Sequence, residues 1–218
     1  MAGIGEVAAE APRDCSLCPR LVAFREANRQ AQPSWHNGAV TSFGQDSARL
    51  LIVGLAPGLK GANRTGRPFT GDFAGDLLYA TLLELGFALG RYAAAPDDAL
   101  TLADCMITNA VRCVPPQNKP TPAEIATCRA FLVNRIAAMP RLAAILALGR
   151  IAHDSTLAAL GARRSAFPFA HGARHEVRAD LMLFDSFHCS RYNTNTGKLT
   201  PQMFRAVLDA IRKHLGQP

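Results

Sequence analysis

Four short apolar-rich segments, at residues 50–53, 106–111, 143–148 and 181–187, constrain the fold more than anything else in this chain, and the first and third are unbroken apolar runs. Runs of that length without polar alternation read as strands covered on both faces. Helical patterns lie between them. Leu77, Leu78, Leu82, Leu83 and Leu85 recur at helical spacing over residues 76–87. Thr121-Pro122-Ala123-Glu124 is a capping box with proline at the first helical position, and it starts a helix carrying Cys128 on its second turn. Gly149 precedes a helix reaching about residue 160, and Thr200-Pro201 opens a last one whose Phe204, Val207, Leu208, Ile211 and Leu215 share a face. Strand and helix thus alternate from about residue 48, which predicts a three-layer α/β/α sandwich around a central, mainly parallel four-stranded sheet. Residues 161–179 interrupt the pattern with Gly161, Pro168 and Gly172 and the basic Arg163, Arg164, Arg174 and Arg178, a surface excursion with room for a hairpin.

The 218 residues, 49% of them hydrophobic, suit one domain over 1–218 and exclude a disordered or fibrous chain. No apolar stretch is long enough to span a bilayer, and Glu6 and Glu10 interrupt the start of the chain. The expectation is a soluble, cytoplasmic protein with no membrane partner. A formal charge of +7 favours polyanionic partners, because bound Lys and Arg release counterions from phosphates. Basic balance also occurs in proteins that bind no nucleic acid, so charge alone does not choose.

The cysteines say more. Cys15 and Cys18 form a C-x2-C pair beside Pro19, and Cys113 and Cys128 form a C-x14-C pair far along the chain. Two thiolates flanking a two-residue turn can point at one metal centre, and the distant pair completes a set of four. Cys113 sits in an Arg-Cys-Val-Pro-Pro turn and not in an apolar run, which sets it apart from an ordinary buried cysteine. Spacing does not separate zinc from iron-sulfur. Cys105 and Cys189 fall outside this frame and read as structural.

In open parallel sheets, ligands bind beyond the carboxyl ends of the strands. The first strand runs into a long glycine-rich loop over residues 54–72, the second ends at Asn109, and the fourth ends at His188-Cys189-Ser190-Arg191-Tyr192-Asn193. Glycines there let backbone amides approach a ligand. Each of these features alone also has an ordinary explanation as a turn or a local cap.

Gly54-Leu55-Ala56-Pro57-Gly58, with Gly61-Ala62-Asn63-Arg64 and Thr65-Gly66-Arg67-Pro68-Phe69-Thr70-Gly71-Asp72, closely resembles the first motif of the type B (family five) uracil-DNA glycosylases. Asn109 before Arg112-Cys113-Val114-Pro115-Pro116 resembles their second motif and third cluster ligand, and His188-Cys189-Ser190 with Asn193 resembles their last motif. The resemblance covers nearly the whole chain. It implies a monofunctional hydrolase of base-excision repair that cuts the N-glycosidic bond of uracil, and of other deaminated bases such as hypoxanthine, in DNA. It also implies a structural [4Fe-4S] cluster on Cys15, Cys18, Cys113 and Cys128, with residues 1 to about 47 as a cluster-binding arm.

Under this resemblance Phe69 stacks on the flipped base, the Asn109 amide pairs with its polar edge, and His188 donates toward the uracil oxygen where negative charge gathers. Gly54, Ala56 and Gly58 form the turn beneath the base. Asp72 has two readings: a helix N-cap worth about 1 kcal/mol, or the carboxylate beside an oxocarbenium-like sugar. The related type A enzymes carry a Glu within the first turn, and the best-known uracil glycosylases an Asp, where this chain has Leu55, Ala56 and Pro57. Asp76 and Asp185 are lesser candidates. Lys60, Arg64, Arg67 and the arginines of 163–178 are the expected phosphate contacts, with Arg191 or, preferably, Tyr192 filling the gap left in the duplex. The expected partner is uracil-containing DNA, bound by a monomer in the cytoplasm and at the nucleoid. Two rivals are a non-catalytic iron-sulfur protein that binds damaged DNA, and a small iron-sulfur electron carrier.

Overall fold

All four segments form strands, and the strands are neighbours. The computed structural model of the protein describes residues 8–216, so Glu6 lies outside it. The first elements are α1 (Pro19–Ala31), β1 (Phe43–Gly44), β2 (Leu50–Gly54), α2 (Ala62–Thr65) and α3 (Phe73–Glu84). A small ladder of β3 (Ala88–Leu89) with β4 (Thr101–Leu102) follows, then β5 (Cys105–Asn109) and α4 (Pro122–Ala137). The second half comprises β6 (Ala144–Leu148), α5 (Arg150–Ala159), β7 (Arg174–Arg178), β8 (Leu181–Ser186), α6 (Arg191–Asn195) and α7 (Pro201–His214). No described helix is long and apolar enough to cross a membrane.

The main sheet has the order β1-β5-β2-β6-β8-β7. Its inner β5, β2, β6 and β8 are parallel, as expected, and β1 and β7 add antiparallel edges, so the sheet is six strands wide and not four. The edges escape a hydrophobicity reading for physical reasons. Phe43–Gly44 is too short to show a period, and Arg174–Arg178 is polar and faces solvent on alternate residues, as an edge strand should. The excursion over 161–179 therefore ends in a β7–β8 hairpin with a register irregularity between Glu176 and Arg178.

Alternation along each inner strand feeds two cores. Leu50, Ile52, Ile107, Leu146 and Phe184 face one side, where α3 contributes Leu78, Tyr79 and Leu82, and α7 contributes Phe204, Leu208 and Ile211. Leu51, Val53, Met106, Ile145 and Leu183 face the other, against Leu132 and Ile136 of α4 and Leu157 of α5. The capping box at α4 is complete: Thr121 Oγ1 accepts from Glu124 N at 3.2 Å, and a Glu124 carboxylate oxygen accepts from Thr121 N at 2.7 Å. Glu124 also pairs with Arg20 at 2.7 Å, which ties α4 to α1. Proline at the first turn of α1, directly after Cys18, starts that helix, which the apolar pattern alone did not reveal.

Because the four inner strands are parallel, their carboxyl ends share one rim. Gly54 is in register with Asn109, and Leu148 with Ser186. Leu146→Ala, at a fully buried position of β6, should cost about 2–5 kcal/mol in urea unfolding; a loss under about 1 kcal/mol would contradict its placement between two strands and two helices.

Candidate active site

At that rim the loops after β2, β5 and β8 enclose a cavity of about 410 Å³, walled by Ala56, Gly58, Phe69, Asp72, Asn109 and His188, together with Leu55, Pro57, Phe73, Ala74, Asn118, Ser190 and Arg191. Gly54, expected to line it, instead lies behind Asn109 and Phe69. A Cβ there would stand 2.4 Å from Asn109 Oδ1 and 2.6 Å from the Phe69 ring, so any side chain would displace both. Asn109 is 2% exposed and, among the described residues, its Oδ1 has no hydrogen-bond partner. A buried bare acceptor costs about 1–3 kcal/mol, which a ligand's N–H would recover.

Phe69 has φ +53°, a left-handed conformation costly for a bulky residue. Its neighbours hold it there. Tyr79 Oη donates to Pro68 O at 2.6 Å and Tyr92 Oη to Phe69 O at 3.3 Å, while a Cβ on Gly75 would fall 1.7 Å from Phe69 O. Arg67 completes the support and is not available to DNA. It is 6% exposed, makes two bonds to the Asp98 carboxylate, whose side chain is itself covered, at 2.7 and 2.8 Å, donates to Thr70 Oγ1 at 2.7 Å, and lies over the rings of Phe43, Tyr79 and Tyr92. The Arg67 hydrogen bonds hold the Asp98 carboxyl well below the ordinary carboxylate range. The expectation of a phosphate contact at Arg67 is thus corrected: cation and rings form a closed internal lock.

Asp72 is the helix cap, and its second oxygen is free of that role. Its Oδ1 caps α3, accepting from Gly75 N at 3.2 Å, while Oδ2 lies so close to the 58–61 turn that a Cβ on Gly61 would come within 2.4 Å of it. Burial raises its pKa, against the pull of the Gly75 and Ala74 amides. His188 packs beside Phe69, ring centroids 6.0 Å apart and planes at 30°, and burial pushes its pKa down to about 4, so the imidazole is neutral near pH 7. Among the described residues its ring makes no hydrogen bond; its backbone carbonyl accepts from Asn193 Nδ2 at 2.8 Å.

Outside the cavity, Lys60 and Arg64 are exposed on the loop after β2. Arg191 lies 5.2 Å over the Phe73 ring, and Tyr192 beside it is 73% exposed. The other basic residues do not gather here. Arg163, Arg164 and Arg174 lie on the excursion without lining the cavity, and Arg178 pairs with Leu181 at the opposite rim of the sheet. Asp76 is exposed on α3, and Asp185 is fully buried beneath the sheet end, bonded to His153 and His175, so neither lines the cavity. Asn118 was missed by sequence reasoning. It enters through a turn in which Gln117 (φ +54°) and Asn118 (φ +56°) are both left-handed; the Pro115-Pro116-Gln117-Asn118 turn chemistry was the available signal.

Cys15, Cys18, Cys113 and Cys128 line a second, smaller cavity with Leu21, Val111 and Phe131. Burial, reinforced by the neighbouring cysteines, pushes Cys113 up to about 12 and Cys128 up to about 11, so thiolates there need a cationic partner. Cys105 and Cys189 are buried elsewhere, in the first core.

The sequence profile of the uracil DNA glycosylase superfamily matches residues 41–212. A type-5 uracil-DNA glycosylase of Thermus thermophilus is 45% identical over 208 residues, 93% of this chain and 94% of that protein. Type-5 uracil-DNA glycosylases of Mycobacterium tuberculosis (41% over 211 residues, 93% of this chain and 78% of that one) and Pyrobaculum aerophilum (38% over 199 residues, 89% and 86%) are also similar.

Arg67→Ala should destabilise the protein by about 3–5 kcal/mol, because it strands a buried carboxylate. Asp98 has its pKa depressed on folding, so the pair's contribution is present above the unfolded carboxylate pKa and is lost as pH falls toward the folded one. Denaturant midpoints measured against pH would show this, and an unchanged midpoint in the variant near pH 7 would refute the lock.

Proposed function

The chain belongs to the uracil DNA glycosylase superfamily, and from that premise we propose that it excises uracil from DNA as the first step of base repair in the cytoplasm, acting as a monomer. The observation that carries this is the meeting of Phe69, Asp72, Asn109 and His188 around one cavity of about 410 Å³, with the Asn109 acceptor left bare. A flipped uracil recovers lost stacking on Phe69 and pairs its polar edge with the Asn109 amide. As the bond from C1′ to the base nitrogen lengthens, its electrons pass into the base, and the neutral His188 ring donates toward the uracil oxygen that takes the charge. The sugar becomes oxocarbenium-like, and the second Asp72 oxygen faces that positive charge and the attacking water. Water oxygen bonds to C1′ and the spare proton leaves on the freed base.

The small Ala56 wall supports a wider range that includes hypoxanthine. Lys60, Arg64 and Arg191 would bind phosphates, and the exposed Tyr192 would fill the gap in the duplex.

The four cysteines suit a [4Fe-4S] cluster: an all-sulfur donor set lines one cavity. The likeness to the type B enzymes, and not the cysteine spacing, favours iron-sulfur over zinc here. Bound there, the cluster would tie the N-terminal arm to α4 and to the loop after β5. Cys15→Ser should lose visible absorbance and unfold at a lower temperature; a variant of unchanged stability would deny the cluster its structural role.

Single-turnover release of free base from oligonucleotides with one uracil or one hypoxanthine tests the activity. Binding without release would favour a damage-binding protein. Asp72→Asn should slow release by about 100-fold or more. In the parent protein the rate should fall as pH drops through the raised Asp72 pKa, while His188, neutral above about 4, adds no step near its ordinary value.

A further inference from the structure

Behind the wall that carries His188 lies a buried polar cluster that the cavity does not use. Asp185, fully buried and three residues before His188, turns its two carboxylate oxygens to two histidines. His153 Nδ1 is 2.7 Å from Oδ1, and His175 Nε2 is 3.2 Å from Oδ2. The other nitrogen of His153, Nε2, is 2.9 Å from the carbonyl oxygen of Phe167. A carbonyl oxygen only accepts, so Nε2 carries a proton. A neutral ring would then aim the bare lone pair of Nδ1 at a carboxylate oxygen, acceptor against acceptor, where His153 is 1% exposed and Asp185 0%. A second proton on Nδ1 removes the conflict.

We infer that His153 is held as an imidazolium against the Asp185 carboxylate, and that this buried pair is a positioning device for the strand end that presents His188. Burial opposes a charge on His153, but the Asp185 hydrogen bond and charge, with smaller help from the Phe167 carbonyl and Asp154, make the net shift upward. The other charged neighbours do not replace Asp185: Asp154, on the same helix, lies 3.7 Å from Arg164, and Arg150 is over the Phe169 ring.

The route from this pair to His188 is short. Gly149, at the start of α5, donates to Ser186 O at 2.8 Å, so α5 grips β8 there and again at His153. The backbone of Asp185 bonds to Gly172 and Ala173, at 2.8 and 3.0 Å, and so pins the excursion against β8. From that excursion His171 Nδ1 accepts from Phe187 N at 3.2 Å and its ring stacks on Phe187, the residue directly before His188. A shift at Asp185 therefore reaches the imidazole that faces the base.

The inference rests on the role proposed for His188, and the test separates the two. Nitrogen NMR of the intact protein, with its histidines labelled, should find one buried ring still protonated on both nitrogens at a pH above the ordinary histidine value. His153→Gln should remove that signal. A singly protonated His153 would overturn the inference, as would stoichiometric zinc held between rings whose ligand atoms lie within 4.8 Å. Asp185→Ala should lower the single-turnover rate about 10- to 100-fold, as a small misplacement does, with DNA affinity unchanged. Asp185→Asn, whose amide can donate to a neutral Nδ1, should retain most of the rate. Equal losses in both variants, or none in the alanine variant, would count against positioning. An unchanged rate in His188→Ala with the doubly protonated signal intact would instead refute the reading of His188.

Discussion

Gly54 and Asn109 stand side by side at the ends of two parallel strands, and the absence of a side chain at Gly54 is what lets Asn109 and Phe69 take their places in the cavity wall. The register places the Asn109 amide and the Phe69 ring in the space a Cβ would fill. Everything else at the rim is arranged around that contact. Parallel strands bring the loops after β2, β5 and β8 to one edge, and the in-register pairs Gly54 with Asn109 and Leu148 with Ser186 keep that edge level.

The conformation of Phe69 illustrates how strain at the rim is offset from outside it. A left-handed phenylalanine costs of order 1–3 kcal/mol, and three aromatic side chains, a buried ion pair and the close approach of Gly75 hold it in place. The same loop uses Asp72 twice. One oxygen ends the helix and the other meets the glycine turn, so capping fixes the carboxylate where the proposed chemistry needs it.

Two supports flank the cavity. On one side the cysteine cavity joins α1, α4 and the loop after β5, with Arg112 buried beside it, its amide donating to Cys128 Sγ at 3.3 Å and its guanidinium 3.2 Å from Glu10. On the other, α5 and the excursion grip β8 through Asp185. Neither supplies a group to the cavity, yet each ends on a strand or loop that does.

Much of this was legible in the residue order. The inner strands, the capped helix at Thr121 and the amphipathic α7 follow from hydrophobic period and cap chemistry, which are local properties. Because parallel strands put their ligand edge at their carboxyl ends, Asn109 and His188 could also be singled out, while Phe69 was picked out by the family resemblance. The rest depended on partners distant in the chain. Arg67 looked like a phosphate contact until Asp98, 31 residues away, enclosed it. Asp185 looked like a possible acid until His153, 32 residues away, turned to face it. Periodicity records which face of an element is apolar, so the sequence determined the layers and the rim. Pairing between buried charges is set by which side chains meet across those layers, and only the tertiary structure decided that.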